Sequence, residues 1–456
     1  MDVAAHIFRE YDIRGIVGES LDADVTRAVG RAYGSVLRER IRGRTPLVTV
    51  GRDNRPSSPE LADALVEGLL ATGVDVVEVG TVPTPVLYWS VEEMDADGGL
   101  QITGSHNPAE YNGIKMSMGG RSFYGSDIRR LRARIAEEHF VSGDGELRHE
   151  EALDRYVSDV TGRFDLARAV KIVVDCGNGT GAVVAVRLLE KLGAEVVPLF
   201  CESDGTFPNH HPDPTVDENL EDLIAAVAES GAEVGIAFDG DADRLGAVDE
   251  NGAVIRADLL LLLFGLDLLE KRGPGQKLVF DVKCSQVLPE VYVEAGGDPI
   301  MWKTGHSLMK EKMHETHAPL GGELSGHLFF ADEYYGFDDA LYGACRLVDL
   351  LARSEESLSE QIAAFPSYVS TPEIRIEVDE ESKFSLVRKA QEHFGRTHDV
   401  MEVDGARILF GDGWGLLRTS NTQPVIVARF EARSEERLDE IRSEVLGWLR
   451  EQGVEA

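Results

Sequence analysis

The sequence predicts an α/β protein in which three related α/β domains precede a C-terminal α+β domain. Three observations carry that expectation. A strand, helix, glycine, strand unit recurs three times, at intervals of about a hundred residues. From residue 367 onward strands and helices mix without that alternation. The chain has 456 residues, which at roughly 100–200 per domain suits three or four domains, each able to bury a core.

The first unit opens on the apolar run Leu47-Val-Thr-Val-Gly-Arg-Asp53, continues in a helix pattern over 60–71, and closes on a second β-run over 74–79. The second is Lys171-Ile-Val-Val-Asp175, a Gly-rich turn, a helix over 183–192, Gly193 and a strand over 195–200. The third is Lys277-Leu-Val-Phe-Asp281, a helix over 287–295, Gly296-Gly297 and a strand over 299–302. A glycine after each helix is the residue that ends a helix in a left-handed turn. In the last part, 373–378 alternates with period two, 382–394 reads as a helix, 414–419 and 425–432 as strands, and 435–449 as an amphipathic helix. The polar stretch Ser142-Gly-Asp-Gly-Glu146, the hairpin signal Asp249-Glu-Asn-Gly252 and the prolines of Phe365-Pro-Ser and Thr371-Pro372 mark the junctions. The expected domains are 1–148, 149–253, 254–366 and 367–456.

Composition narrows the function. Asp and Glu number 81 against 46 Lys and Arg, a net charge of −35. Such a chain repels polyanions, which excludes nucleic acid and anionic membranes as partners. An acidic excess is also what salt adaptation produces. An anionic substrate then requires a local cluster of cations or metal. Cys176, Cys201, Cys284 and Cys345 form no C-x-x-C pair, so neither a zinc site nor a disulfide scaffold is expected. The N-terminus lacks the basic and apolar regions of a signal peptide, and the apolar run at 259–269 is broken by Asp267. A reducing cytoplasm is the expected location.

Four segments carry chemistry. Thr103-Gly-Ser-His-Asn-Pro108 follows an apolar run and presents Ser105 on a loop at a strand end, with His106 and Lys115 nearby. The same segment also reads as a Ser turn. Phe238-Asp-Gly-Asp-Ala-Asp-Arg244 follows the strand-like run 233–238. In a near-extended chain Asp239, Asp241 and Asp243 point to one side, where they repel unless a hard cation sits among them. An EF-hand needs Gly where Arg244 stands and helices where a strand and a hairpin flank the loop. Arg418-Thr-Ser-Asn-Thr422 packs a guanidinium, hydroxyls and an amide into five residues, a donor set suited to phosphate. Gly321-Gly-Glu-Leu-Ser-Gly-His327 places Glu323, Ser325 and His327 on one side of an extended chain, able to grip sugar hydroxyls. A competing signal is Gly177-Asn-Gly-Thr-Gly-Ala182, with Glu202 about twenty residues beyond its last glycine, which fits a dinucleotide fingerprint.

Taken in order, these segments resemble the α-D-phosphohexomutase family, in its phosphomannomutase/phosphoglucomutase branch, over nearly the whole chain. The resemblance also draws on Tyr11-Asp-Ile-Arg-Gly15, Tyr111-Asn-Gly-Ile-Lys115, Asp281-Val-Lys-Cys284 and Lys303-Thr-Gly-His-Ser307. It implies three α/β domains with mixed sheets plus a C-terminal α+β domain around a central active-site cleft. Leu324 is more like the Met of the mannose/glucose branch than the Gln usual in the phosphoglucosamine branch.

By that resemblance Ser105 carries phosphate and, with Asp239, Asp241 and Asp243, holds one Mg²⁺ per chain. Arg14, Lys115, Arg244 and His327 are the implied catalytic residues. Tyr11, Lys283, His306, Glu323, Ser325, His327, Arg418, Ser420, Asn421 and Thr422 are the implied substrate contacts. The implied reaction moves phosphate between the 1- and 6-positions of a mannose or glucose phosphate through a hexose 1,6-bisphosphate, in a monomer or weak dimer. Phosphoglucosamine mutase activity, an NAD-dependent oxidoreductase built on 177–182, and a calcium-binding module built on the Asp triplet are the alternatives.

Overall fold

In each of the three repeats, the β-runs pair in parallel and the connecting segment is helical, as a right-handed crossover requires. In a computed structural model, which describes residues 1, 3–379, 381–420 and 424–455, strand Leu47–Arg52 pairs with Asp75–Thr81 across helix Ser58–Leu70. Lys171–Asp175 pairs with Glu195–Leu199 across helix Ala185–Leu192. Lys277–Asp281 pairs with Asp298–Trp302 across helix Val287–Glu294. Gly193 ends its helix at φ 111°, a left-handed position open to glycine at no steric cost.

The chain divides into two compact units, 1–257 with 325–360, and 258–324 with 361–456. The first unit holds two mixed sheets. In one, Leu47–Arg52 also runs parallel to Gly98–Ile102, and antiparallel Tyr111–Met118 and Ile13–Ile16 extend the edge. In the other, Val234–Phe238 lies parallel to Lys171–Asp175 and antiparallel to Leu245–Asp249. Strands Gly98–Ile102 and Val234–Phe238 are buried on both faces, as in a sheet covered on two sides. Helix Ala23–Arg40, capped by the Asp22 carboxylate, packs against Ser58–Leu70.

The second unit contains the third repeat and the C-terminal sheet. There Gly413–Thr419, Val425–Ala432 and Ala406–Leu409 pair antiparallel, with Ile374–Glu377 on the flank of Val425–Ala432. Helices Lys383–Phe394 and Glu435–Glu451 bury their apolar faces against this sheet in one core that includes Phe394, Phe430, Ile441 and Trp448. Among the described residues, no helix is long and apolar enough to cross a membrane.

The candidate phosphotransfer site

In the first unit two loops meet at the carboxyl ends of their strands. Residues 103–108 follow strand Gly98–Ile102, and residues 239–244 follow strand Val234–Phe238. The approach is tight. A Cβ on Gly240 would lie 2.3 Å from the Ser105 carbonyl oxygen, so only glycine fits. Ser105 takes φ 49° and Ala242 φ 58°, left-handed positions that ordinary residues hold only when their surroundings impose them.

The Ser105 hydroxyl donates to Asp239 Oδ2 at 3.0 Å and lies 3.1 Å from His106 Nδ1. Asp239, Asp241 and Asp243 are all fully buried, with one oxygen from each within 4.8 Å of the others. They do not converge by strand alternation, as the sequence suggested. The segment turns instead, and Asp239 Oδ1 accepts from the Asp243 and Arg244 amides at 3.0 and 3.1 Å. A tight turn folds the carboxylates inward because the chain must reverse at once into Leu245–Asp249.

Lys115, on strand Tyr111–Met118, donates to Asp241 Oδ2 at 2.7 Å and also to Asp243 Oδ2. Burial alone would lower the Lys115 pKa, but Asp241 and Asp243 hold it well above the usual ammonium range. Burial likewise works against ionised Asp241, and Lys115 outweighs it, holding that carboxyl below its usual value. Asp239 goes the other way: burial, then Asp243 and Asp241, push it well above the carboxylate range. Thr84 Oγ1 and Thr103 Oγ1 add donors to Asp241 Oδ2 at 2.6 and 3.2 Å. Yet Asp241 Oδ1 and Asp243 Oδ1 are buried with no hydrogen-bond donor. Buried carboxylate oxygens facing one another without donors are the ligands a hard divalent cation takes, so this triplet can hold a metal ion.

The other first-unit residues surround these loops. Arg14 donates to Asn107 Oδ1 and to Asp12, and Tyr11 precedes that pair. Arg244 Nε donates to His327 Nε2 at 3.2 Å, while His327 Nδ1 lies 3.3 Å from Asp338 and 3.6 Å from Asp243. Asp243, His327 and Asp338 form a second trio of possible ligands. With an imidazole in the set it suits a softer ion than the all-oxygen triplet does. Burial, then the charges of Arg244, Arg14 and Lys115, hold the His106 pKa well below its usual value, keeping a neutral ring beside Ser105.

The second unit gathers a second set. Lys283 donates to Glu373 at 2.6 Å. Burial disfavours the Lys283 charge, but Glu373 and Asp281 raise its pKa, and Lys283 with Arg418 in turn outweighs burial to bring Glu373 down to about 2. Fully buried Asp281 accepts from the Leu324 amide at 3.1 Å and from Thr304 Oγ1 at 2.8 Å. Glu323 accepts from the Gly305 amide beside His306. Asp404 receives Arg418 and the Thr304 amide, and Lys383 donates to the Ser420 carbonyl at 2.9 Å. Asn421 and Thr422 lie outside the described residues. The extended geometry expected of 323–327 is also absent. Residues 324–326 turn with Gly326 at φ 98°, so Glu323 belongs to the second unit and Ser325 and His327 to the first.

The Gly177–Ala182 fingerprint binds the protein itself. The Gly177 amide donates to Asp175, that of Asn178 to Phe200 O, and that of Thr180 to Gly240 O at 2.8 Å. These are the donors a pyrophosphate would need, and the loop buttresses the Asp239 turn instead.

Four stretches of the chain match the family descriptions of phosphoglucomutase/phosphomannomutase: alpha/beta/alpha domain I over 5–142, domain II over 154–252, domain III over 256–368, and the C-terminal domain over 373–447. The chain belongs to the phosphoglucomutase/phosphomannomutase family. A phosphomannomutase/phosphoglucomutase of Pseudomonas putida is 47% identical over 438 residues, 96% of this chain and 94% of that protein. A phosphoglucomutase of Neisseria meningitidis serogroup A is 43% identical, over 97% of this chain and 96% of that one. The crystal structure of a phosphoglucomutase/phosphomannomutase family protein from Burkholderia thailandensis superposes with a TM-score of 0.93 at 45% identity, covering 98% of both chains. The three α/β domains, their mixed sheets and the antiparallel C-terminal sheet are thus the family's architecture.

Thr84, Asp338, Asp404, Lys383 and Asp281 were not singled out from sequence, Asp281 having been noted only as the start of a motif. Thr84, Asp338, Asp404 and Lys383 stand in stretches with no motif of their own. The one local signal was a polar residue at a strand end, which Asp281 alone offered.

Proposed function

We propose that this chain is a phosphomannomutase/phosphoglucomutase, interconverting the 1- and 6-phosphates of mannose or glucose through phosphate carried on Ser105. The observation that carries the reading is the Ser105 hydroxyl, 3.0 Å from buried Asp239, whose loop also carries Asp241 and Asp243, both bonded to Lys115. Family membership and the relatives' activities support it.

In this reading Asp239, Asp241 and Asp243, with Ser105, would hold one Mg²⁺, which would supply charge neutralisation during transfer. Arg418, Ser420, Asn421 and Thr422 grip the phosphate that is not reacting. Glu323 and Ser325 hold sugar hydroxyls, with Tyr11, Lys283 and His306 along the substrate path. The free sugar hydroxyl attacks the phosphorus, the bond to Ser105 Oγ breaks, and the departing Ser105 oxygen takes a proton from one of the proton-handling groups His327, Lys115 and Arg14, which the proton released by the attacking hydroxyl replaces. The resulting hexose 1,6-bisphosphate turns end for end and returns its other phosphate to Ser105. Arg14, Lys115 and Arg244 offset the charge on the transferred group, supplying the local cations that a chain of net charge −35 requires. The proposal retains domains 1–148, 149–253, 254–366 and 367–456, a cytoplasmic location, and a monomer or weak dimer.

The test is a mutase assay on mannose, glucose and glucosamine 1-phosphates with Mg²⁺ and a trace of hexose 1,6-bisphosphate. Turnover is expected on the first two and lost in Ser105→Ala, with a labile phosphate on the Ser105 peptide by mass spectrometry. Full turnover by Ser105→Ala would sink the reading, and a preference for glucosamine 1-phosphate would move the substrate to the phosphoglucosamine branch.

A further inference from the structure

Arg55 has no role in the reading above, yet its side chain is built around the Ser105 loop. It is 1% exposed. A guanidinium has five N–H donors, and here five protein acceptors meet it. Nη2 donates to Ser105 O at 2.7 Å and Asn107 O at 2.6 Å, and Nη1 to Pro108 O at 2.5 Å and Tyr111 O at 3.0 Å. Nε donates to Asp53 Oδ2 at 3.0 Å. Asp53 is itself held by its neighbours, accepting from the Gly104 amide at 3.1 Å and from the Ser58 hydroxyl. A Cβ on Gly104 would lie 2.5 Å from Arg55 Cζ.

The consequence falls on Ser105. At φ 49° it occupies a conformation that a non-glycine residue keeps only when its neighbours over-determine it. Its carbonyl is pinned by Arg55 on one side and by the close approach of Gly240 on another. If that carbonyl is released, the residue is free to relax to negative φ, which swings Oγ away from Asp239.

We propose that Arg55 is a positioning residue for phosphoryl transfer: its guanidinium holds 105–108 in the geometry that aims Ser105 Oγ, without touching the phosphate. The inference rests on Ser105 being the phosphate carrier, which wild-type turnover and the Ser105 phosphate test separately. Because Arg55 spends every donor on protein atoms and is paired with Asp53, its contribution is shape rather than charge.

Arg55→Lys keeps the charge and loses the fork, since a single ammonium cannot span four carbonyls. A misplacement of about 1 Å costs on the order of a hundredfold in rate. We therefore expect kcat to fall about a hundredfold with KM for hexose 1-phosphate within about threefold. Phosphorylation of dephosphorylated enzyme by glucose 1,6-bisphosphate, followed by intact mass in a single turnover, should slow by a similar factor. Gly104→Ala retains the Arg55 side chain but displaces its guanidinium, so it should reproduce the slow transfer. Single-turnover rates are compared per folded protein, measured by thermal unfolding. Transfer within about threefold of wild type in either folded variant would overturn the proposal, as would failure of both to fold, which would make Arg55 a folding determinant only.

Discussion

Lys115→Met is the perturbation with the sharpest signature. The ammonium touches Asp241 and Asp243, both fully buried, and is itself 4% exposed. Its loss leaves two buried carboxylates facing Asp239 with no partner cation. Removing one member of a buried ion pair costs about 3–5 kcal/mol, which for a unit of this size is about 10 °C in unfolding midpoint. A divalent cation bound by the same oxygens replaces the missing charge. A ligand at a hundred times its dissociation constant returns about 2.7 kcal/mol. The midpoint of Lys115→Met should therefore drop by about 10 °C in chelator and recover roughly half of that in saturating Mg²⁺. Wild type should gain less from Mg²⁺, because Lys115 already occupies the carboxylates. Scanning fluorimetry across a Mg²⁺ titration reads all four values. An unchanged midpoint in chelator, or equal Mg²⁺ shifts in the two proteins, would refute the reasoning.

Two further outcomes follow from the second unit. The Glu373 pKa of about 2 means its bond to Lys283 contributes stability above the ordinary carboxylate pKa of 4.5, and that contribution fades as pH falls from there toward 2. The Glu373 side chain is 30% exposed, so screening leaves about 1–2 kcal/mol. Glu373→Gln should be less stable than wild type at pH 7 in chemical denaturation, with the gap narrowing below pH 4.5 and closing only as pH approaches 2, and a gap that does not narrow over that range would contradict the assignment. Arg418→Lys exchanges a planar fork for a point charge at the proposed phosphate grip. KM for hexose 1-phosphate should rise roughly tenfold to a hundredfold with kcat little changed; a change confined to kcat would place Arg418 at the reacting phosphate instead.

Much of the fold was legible because its signals are local. Period-two apolar runs, helix patterns and closing glycines such as Gly193 lie within about thirty residues of one another in each repeat, the span of one βαβ unit. Helix Ala340–Arg353 was not identified. All but its last residue is buried, the polar Arg346 and Asp349 included. The order of strands in the first sheet, where Tyr111–Met118 pairs with both Ile13–Ile16 and Gly98–Ile102, depends on pairings that no sequence window contains.

The candidate site divides the same way. By itself the sequence determined which side chains are candidates for chemistry: a serine on a glycine loop, three aspartates in five residues, and an Arg-Thr-Ser-Asn-Thr run. Those residues announce themselves because phosphate and metal chemistry needs several donors or acceptors close together in the chain. Tertiary structure alone decided how they are held. Lys115 reaches Asp241 across 126 positions and Arg55 reaches Ser105 across 50. The Asp triplet converges through a turn rather than along a strand, and the Gly177 loop spends its amides on the Gly240 carbonyl and its own neighbours. A buried charge or a strained backbone persists only when distant groups compensate it, and those groups are single residues whose partners only folding reveals.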